Sequence, residues 1–561
     1  MNRRVLALSL LLACICAVCF LCLQADGRNV SFCPGKSGPA AVRIRRTPYE
    51  ETIRPWYCEK EDTWYYFLPS CLCGNRIWDD GGMALQMDGA SAGGGFAWTD
   101  GQAYRMSLDS GEYTVKFLAS SKLPAVFITT ESGVMWRLLA DRDFTETGLI
   151  RVFETDGSVS CSRGMSIHGR GNSTWFDFDK KPFNLRLDEK DCLLGMEYER
   201  DWCLLANAWD YSYMNNKLAF DMAKGAGFRY VPGAEYADVY FNGEYGGLYL
   251  ITGKVETGRN RVNITDLEDL NRTANPGTDI TQAESYDTGD IRGIRLETLP
   301  QDITGGYLVE RDYRLNPDRE FGRTITTSYF ETTGYGSAFN IKTPEDADEA
   351  EVRYIQGVMS ELEQAIRSED GTSESGRHWL EMIDLTSWVR WYMMAEIAND
   401  RDKDITNAYY YKDTDRTDPL IYMGPVWDYD DRFGGVNEAM APSAEVLTEL
   451  RSEYAVYSGG WMQHLTRRPA FADAVRQEWS RYFRDYLEKE APEKIDRWEK
   501  QIEKSVRMDV IRYPRGEGYM FQWPGEDGFT SDYVFEDEVN YLRSWIRRRA
   551  DFLDTCWSEG E

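Results

Sequence analysis

The amino-acid sequence predicts an α+β protein in which a β-rich lobe precedes a helical lobe. The chain has 561 residues, of which 42% are hydrophobic and 14% aromatic, enough to bury a large core and form more than one lobe. From Pro124, short apolar runs separated by glycine or acidic turns are typical of strands. Further on, the hydrophobic spacing becomes helical, with one apolar face formed by Ile355, Val358, Met359, Leu362 and Ile366.

Residues 1–27 have the composition of an export signal. Arg3 and Arg4 precede an apolar run from Val5 to Leu23. We therefore expect an extracytoplasmic protein, either secreted or anchored to the outer face of the membrane. Three fates of this segment stay open: cleavage, acylation at Cys14 within a loose lipobox, and retention as a membrane anchor.

Charge and cysteine content exclude two classes of site. Asp and Glu number 93 against 64 Lys and Arg, so we expect no nucleic-acid partner. Four of the twelve cysteines lie in the first 27 residues, and the others lack the spacing of a paired zinc knuckle. Outside the cytoplasm, buried thiols or scattered disulfides are expected instead.

The predicted β-rich lobe has several parts. Residues 28–117 carry aromatic runs broken by glycine clusters, which indicates a small antiparallel β region. Four strand-like runs follow: "LPAVFITTESG", "GLIRVFETDG", "GMSIHGRGNSTW" and "KKPFNLRLD". A helix is expected from Tyr211 to Lys224, with Gly225 as its C-terminal stop. Asn242-Gly243 predicts a tight hairpin, and the polar stretch 276–302 a surface insertion.

The second lobe is predicted to be helical. "DLTSWVRWYMMAEIA" begins with capping residues at Asp384, and after Gly435 come "FADAVRQEWSRYFRDYL" and "FEDEVNYLRSWIRRRADFLDTCW". The predicted organisation is a signal or anchor at 1–27, a small β region at 28–117, a main domain at 118–440 and its helical extension at 441–561.

The stretch "IANDRDKDITNAYYYKD" places aspartates at Asp400, Asp402 and Asp404. An EF-hand calcium loop starting at Asp400 would need glycine at its sixth position and glutamate at its twelfth. Ile405 and Tyr411 stand there, so a calcium loop is excluded.

A different spacing fits this stretch. Asp402 and Asn407 have the Asp-x-x-x-x-Asn interval of a kinase catalytic loop, in which Asp orients the attacking hydroxyl and Asn binds magnesium. Such a loop follows a helix and precedes a strand, as the flanking sequences predict here. A later carboxylate must bind the metal on the phosphates, and "PLIYMGPVWDYDDRFGG" supplies Asp428 and Asp430.

Phosphoryl transfer also needs a cation and a backbone cradle for the phosphates. Lys180 and Lys181 precede a strand, and "HGRGNSTW", which contains Arg170, supplies a glycine turn. A solvated lysine pair and an ordinary hairpin turn are the alternatives. A serine hydrolase is disfavoured because His168, His378 and His464 are not grouped in any hydrolase signature.

Taken in order, the motifs resemble the CotH kinase family, which is named after a spore-coat protein. The resemblance covers roughly Leu123 to Gly435. Its segments are "LPAVFITTESG", "IHGRGNSTW", "KKPFNLRL", "LLGMEYERDWCLLANAWDYSYMNNKLAFDMA", "DVYFNGEYGGLYLI", "GGYLVERD", "AEIANDRDKDITNAYYYKD" and "MGPVWDYDDRFG". The resemblance implies an atypical protein-kinase-like bilobal fold. It also implies transfer of the γ-phosphoryl group of ATP, with Mg2+, to Ser/Thr of surface or spore-coat-type proteins.

The resemblance also implies roles for individual residues. Asp402 would be the catalytic aspartate, and the metal ligands would be Asn407, Asp428 and, as a second acidic partner, Asp430. The nucleotide-binding residues would be Lys181, Lys180 and Arg170, with Lys181 preferred as the lysine on the phosphates.

The chain departs from the family's pattern at two positions. Gly253 stands where glutamate is expected, and Asn215 where arginine is expected. Because loss of that glutamate would weaken nucleotide binding, an inactive pseudokinase stays open. Two other functions also stay open. One is a catalytically silent surface or assembly protein that binds a protein or polysaccharide through its aromatic side chains, and the other is a kinase-like enzyme that transfers a nucleotidyl group.

Overall fold

A computed structural model describes residues 38–73, 76–79, 86–88, 90–91, 95–108, 111–312, 328–400, 406–434, 444–447, 460–515 and 533–558. The chain forms two compact units. The first unit comprises residues 1–208, 234–253 and 499–535, and the second comprises 209–233, 254–498 and 536–561. Both contain sheets and helices, so the prediction of a mixed α and β protein is confirmed.

The predicted export segment, residues 1–27, lies outside the described residues. Within the described part of the chain, every helix is too short or too polar to cross a bilayer.

Two small sheets open the first unit. Their strands are β1 (Val42–Arg46), β2 (Tyr49–Ile53), β3 (Trp56–Cys58), β4 (Thr63–Leu68), β5 (Arg76–Asp79), β6 (Gln86–Met87), β7 (Ala90–Ser91), β8 (Phe96–Ala97), β9 (Ala103–Leu108) and β10 (Gly111–Ala119). The strand orders are β2-β1-β5-β8 and β3-β4-β10-β9-β6-β7. The expected antiparallel pairing is confirmed for the other described strand pairs of these two sheets, whereas β10 pairs with β4 in parallel, with Val115 opposite Trp64.

A closed barrel follows in the first unit. Its elements are β11 (Ala125–Thr130), α1 (Trp136–Ala140), β12 (Glu146–Phe153), β13 (Val159–Gly169), α2 (Ser173–Asp177), β14 (Phe183–Cys192), a 3-10 turn (Leu193–Gly195), β15 (Tyr198–Leu205), β16 (Ala234–Phe241) and β17 (Glu244–Gly253). The order is β11-β12-β13-β14-β15-β17-β16, and parallel pairing of β11 with β16 closes it. The four predicted strands are therefore confirmed.

The predicted hairpin joins β16 to β17. Phe241 lies opposite Glu244, which leaves Asn242 and Gly243 as a two-residue turn with φ of 52° and 86°. Positive φ at both positions is the conformation that matches the right-handed twist of the flanking strands. The hairpin prediction is confirmed.

A seven-stranded antiparallel sheet belongs to the second unit. Its strands are β18 (Glu284–Asp287), β19 (Ile291–Arg295), β20 (Tyr307–Arg311), β21 (Tyr329–Glu331), β22 (Ala338–Thr343), β23 (Ala408–Lys412) and β24 (Ile421–Met423), in the order β18-β19-β21-β22-β20-β23-β24. The prediction of a helical second lobe misses most of this sheet, although β23 and β24 lie in segments that the sequence predicted to be strands. Part of the polar stretch 276–302, expected to be an insertion, forms β18 and β19.

The remaining helices are α3 (Asn215–Ala226), α4 (Leu267–Ala274), α5 (Glu349–Arg367), α6 (Leu385–Ala398), α7 (Trp461–Leu465), α8 (Pro469–Glu478), α9 (Ala491–Arg512) and α10 (Phe535–Trp557). Short 3-10 turns occur at Ile280–Gln282 and Trp379–Glu381, and π-helical turns at Trp479–Phe483 and Tyr486–Glu490. The predicted apolar face of α5 is buried except for Val358, which is partly exposed. Residues of α9 from Glu499 onward belong to the first unit.

Helix α3 does not end where the sequence predicted. It passes through Gly225 and ends at Gly227, which has a φ of 87° and a left-handed conformation. Gly225 is needed for packing, since a Cβ at this position would overlap the hydroxyl group of Tyr482. The choice of Gly225 as the C-terminal stop was therefore wrong by two residues.

The described cysteines are free thiols. They are Cys58, Cys71, Cys73, Cys161, Cys192, Cys203 and Cys556, and none of these seven forms a disulfide. The expectation of buried thiols is confirmed for Cys71, Cys161 and Cys203, whereas Cys192 and Cys556 are exposed.

Candidate functional site

Two of the predicted metal ligands meet in the second unit. Asn407 directly precedes β23, and Asp428 follows β24. These strands are antiparallel neighbours, with Tyr410 opposite Met423, so the start of one lies beside the end of the other. The Nδ2 of Asn407 donates a hydrogen bond to Oδ2 of Asp428 at 2.8 Å. Two segments singled out separately in the sequence thus form one site.

Both residues have unusual backbone conformations. The φ angle is 59° at Asn407 and 67° at Asp428, and both side chains are partly exposed. Among residues other than glycine, Asn and Asp enter this left-handed region most readily. Such conformations persist only where the surroundings hold them, and they cluster at functional sites.

The flanks of the predicted catalytic loop are as expected. Helix α6 begins at the N-cap Asp384, whose side chain accepts a hydrogen bond from Ser387 N at 2.8 Å, and it ends at Ala398. β23 begins at Ala408. The helix before this segment and the strand after it are therefore confirmed, whereas Asp402 itself, together with the whole segment 401–405, lies outside the described residues.

Asp400 has a role that the sequence did not indicate. It is 5% exposed, and its Oδ1 lies 2.6 Å from Nε of Arg432, which is 2% exposed. Arg432 also pairs with Asp431, and Phe433 N donates to Ala398 O at 2.9 Å. These contacts tie the segment after Asp428 to the C-terminal end of α6. Asp400 is thus part of a buried ion pair at this anchor.

The acidic loop, residues 428–432, is also held by the start of α3. The Nδ2 of Asn215 donates to the carbonyl oxygens of Asp430 and Arg432 at 3.0 and 2.9 Å. Oδ1 of Asn216 accepts from Tyr429 N at 2.9 Å. Sequence reasoning marked Asn215 only as a departure and did not single out Asn216.

The site has ligands that suit magnesium. Mg2+ takes oxygen ligands, usually one or two carboxylates together with substrate phosphates. Because Nδ2 of Asn407 is bound to Asp428, the amide oxygen of Asn407 and the second carboxylate oxygen of Asp428 make no hydrogen bond to any residue that the structure describes. These two oxygens fit a metal. Groups of three or more His, Cys, Asp or Glu side chains in metal-binding geometry do not occur within the described ranges.

Lys180 belongs to the first unit and is buried. Its side chain is 3% exposed, with Nζ 2.7 Å from Oδ1 of Asp509 on α9 and 2.5 Å from the carbonyl oxygen of Leu248. The ring centroid of Tyr249 is 4.7 Å away. Burial lowers the pKa of Lys180 to about 8, against the opposing effect of the Asp509 carboxylate.

Lys181, the preferred choice from sequence, has different contacts. Its Nζ donates to the carbonyl oxygens of Trp175 and Phe178, so it ties down the end of α2. Burial lowers its pKa, although Asp179 and Asp177 act in the opposite direction. Arg170 lies in the adjacent turn and is partly exposed; its backbone N–H donates to Pro182 O at 3.1 Å.

The acid beside Lys180 does not come from the strand that carries Gly253. Gly253 ends β17 and lies opposite Trp202 of β15. The carboxylate comes from Asp509, whose Oδ1 also accepts a hydrogen bond from Leu248 N at 2.8 Å. Sequence reasoning missed Asp509 because nothing in the helical pattern around it separates a buried acid from a solvated one.

Comparisons with known proteins agree with the sequence motifs. The model of a family described as "CotH kinase protein" matches residues 167–553, which is most of the chain. A search of curated proteins finds no match. The matched region includes all the candidate residues described above.

Proposed function

The chain belongs to the CotH kinase family, and from this membership we propose that it transfers the γ-phosphoryl group of ATP to serine or threonine hydroxyls of proteins. We propose a bilobal, atypical protein-kinase-like fold in which the first unit carries the N-lobe and the second the C-lobe. The export-like composition of residues 1–27 supports an extracytoplasmic protein, secreted or membrane-tethered, that acts on surface or spore-coat-type proteins.

The contact between Asn407 and Asp428 carries the proposal. In kinases an Asn of the catalytic loop and a later Asp hold the metal, and these are the two side chains that meet here. Asp428 and Asn407 would bind Mg2+, with Asp430 as a further acidic group. When bound, Mg2+ neutralises charge on the triphosphate. Asp402 orients the substrate hydroxyl and accepts its proton.

The phosphate-contacting lysine is either Lys180 or Lys181. In protein kinases this lysine is paired with a carboxylate, and Lys180 has such a partner in Asp509. That pairing favours Lys180 over Lys181, which binds backbone carbonyls of its own loop. Calorimetric titration of ATP into Lys180→Met and Lys181→Met separates the two, since the variant that lacks the phosphate contact loses affinity.

The decisive experiment compares two aspartates of the same loop. The purified protein is incubated with Mg-ATP and a serine-rich test protein, and the products are weighed by intact-mass spectrometry. We expect Asp402→Ala to abolish the phosphate-sized gain and Asp404→Ala, its matched control, to retain it. Transfer by Asp402→Ala at the wild-type rate would refute the assigned role. A mass increase of the size of a nucleotidyl group would show that the reaction is nucleotidyl transfer and not phosphoryl transfer.

A catalytically inactive surface or assembly protein is the second candidate. Large aromatic side chains are exposed in the first unit, with Trp136 and Phe176 at 52% and 58%, and exposed aromatics are suited to binding a protein or polysaccharide. Binding of a polysaccharide without binding of Mg-ATP would favour this function, whereas Mg-ATP binding measured by calorimetry would count against it.

A further inference from the structure

We infer that Asn215 and Asn216 are positioning residues that hold the acidic loop, residues 428–432, in its metal-binding conformation. This inference rests on the proposed function of the site. Neither residue touches the predicted reacting groups, since both act on the backbone of the loop. Their effect is therefore expected first on metal affinity rather than on the chemical step.

Asn215 acts as a hydrogen-bond donor. One amide nitrogen, Nδ2, reaches two carbonyl oxygens of the loop, those of Asp430 and Arg432, at 3.0 and 2.9 Å. The side chain of Asn215 is buried, with 5% exposure, so these two hydrogen bonds lie where water has little access. The amide group of Asn215 thus binds two peptide groups of the loop, those that follow Asp430 and Arg432.

Asn216 acts as a hydrogen-bond acceptor. Its Oδ1 receives the backbone N–H of Tyr429, the residue directly after Asp428, at 2.9 Å. Asn216 is 3% exposed. The peptide that leaves the predicted metal ligand is thereby fixed on its C-terminal side.

The two asparagines are themselves held in place at the start of α3. The carboxylate of Asp210, which is 2% exposed, accepts from Asn215 N at 2.7 Å and from Ser212 N at 2.9 Å. Of these two N–H groups, that of Asn215 belongs to the first turn of α3, where the helix itself supplies no acceptor. The helix start is thus rigid, and the asparagines extend from it to the loop.

The loop needs such support because its backbone is not in a relaxed conformation. Asp428 has a φ of 67°, and Phe433, directly after the loop, has a φ of 58°; this left-handed region is costly for residues other than glycine, above all for a bulky side chain such as Phe. The contacts with the end of α6 are made by Arg432 and Phe433, so without the contacts from α3 the part of the loop nearest Asp428 would lose its support. Asp428 would then leave the position in which it meets Asn407.

Asn215 donates to the loop and Asn216 accepts from it, and this difference allows a matched pair of variants. Asn215→Asp and Asn216→Asp make the same change in shape and charge. At position 215 the change replaces a donor with an oxygen that faces two carbonyl oxygens. At position 216 it keeps the acceptor for Tyr429 N. We therefore expect the first variant to be defective and the second to be close to wild type.

The readouts are binding of Mn2+, used as a spectroscopic probe for Mg2+, and hydrogen exchange of the peptide around Tyr429. Asp428→Asn defines the Mn2+ bound elsewhere on the chain. Because changes behind a metal ligand typically cost about 10–100-fold in affinity, we expect Asn215→Asp to weaken site-specific Mn2+ binding by at least about tenfold and to speed this exchange. Asn216→Asp should stay within about threefold of wild type by the same scale.

Asn215→Ala covers the case in which Asn215→Asp does not fold, since it removes the donor without adding charge. The inference is overturned if Asn215→Ala binds Mn2+ as tightly as wild type, or if Asn216→Asp is as defective as Asn215→Asp. A wild-type protein that binds neither Mn2+ nor Mg-ATP would overturn the proposed function and the positioning role together. The failure of the positioning role and the failure of the proposed function are distinguishable, because only the failure of the proposed function is seen in the wild-type protein.

Discussion

Removal of the Asp509 carboxylate should strongly destabilise the first unit. Asp509 is fully buried, and it is the partner of Lys180 at 2.7 Å as well as the acceptor for Leu248 N at 2.8 Å. Asp509→Ala would leave an ammonium group and an amide N–H together in the interior. Breaking a buried ion pair from one side costs about 3–5 kcal/mol, because the remaining charge has lost its partner.

The titration of Lys180 sets a limit on this cost. A lysine with an unfolded pKa of roughly 10.4 can be deprotonated at about pH 7 for about 4–5 kcal/mol, so the variant loses no more than this through the charge. In the wild type, burial lowers the pKa of Lys180 to about 8. Above that pH the lysine is neutral in both proteins, and the deficit of the variant should fall to about 1–2 kcal/mol, the value of the lost hydrogen bonds.

The loss of unfolding free energy in Asp509→Ala is measured by urea unfolding near pH 7 and again near pH 9. Hydrogen exchange of β17 then reports on the first unit. Asp100→Ala is the matched control, since Asp100 pairs with Arg507 of the same helix at an exposed position and should cost about 0–1 kcal/mol. The double variant Lys180→Met/Asp509→Leu should recover part of the loss, because the ammonium group is removed together with the carboxylate, while Arg515, 3.9 Å from Oδ2 of Asp509, still loses its ion pair. A deficit as small as that of Asp100→Ala, or one independent of pH, would refute the reasoning.

Two further predictions concern the same unit. Gly247→Ala should lower the free energy of unfolding of this unit by about 1–3 kcal/mol, measured by urea unfolding. The φ at this position is +119°, and the new Cβ would contact Oδ1 of Asp509 and lie 2.7 Å from Cε of Lys180. Stability equal to that of the wild type would contradict the observed packing. Burial raises the pKa of Asp238 to about 7, although Ser505 and Tyr245 donate hydrogen bonds to it. The folded state therefore binds more protons than the unfolded state between about pH 4 and pH 7, and this group's stabilisation is lost as pH rises through that window. Asp238→Asn should accordingly gain stability relative to wild type by about 1.4 kcal/mol per pH unit there, and equal pH profiles would exclude a raised pKa.

The features that the sequence predicted correctly depend on local signals. The Asn242-Gly243 turn, the strand runs after Pro124 and the capping residue Asp384 each act within a few positions, so their effect is visible in a short window. The order of helix, loop and strand around Asn407 follows from the same kind of pattern. Local spacing was sufficient to choose Asn407 and Asp428 as partners, because Asn407 directly precedes one predicted strand and Asp428 follows another.

The features that the sequence missed depend on distant contacts. β18 has four residues, too few to show alternation, and pairing across the sheet stabilises it instead. Gly225 resembles a helix stop by itself, and only the hydroxyl of Tyr482 shows why glycine is required inside the helix. The burial of Asp400 against Arg432 has the same origin, since an isolated "DRDKD" has the composition of a solvated loop.

The contacts of the folded chain change how the two departures from the family's pattern are interpreted. Glycine at position 253 removes a carboxylate from β17, yet Lys180 still has an acidic partner because α9 supplies Asp509. Asparagine at position 215 lacks the charge of arginine, yet its amide satisfies two carbonyls of the acidic loop. Neither departure by itself therefore argues for an inactive protein. In the proposed function catalytic competence would depend on Asp402, which makes the comparison of Asp402→Ala with Asp404→Ala the test that separates a kinase from a pseudokinase.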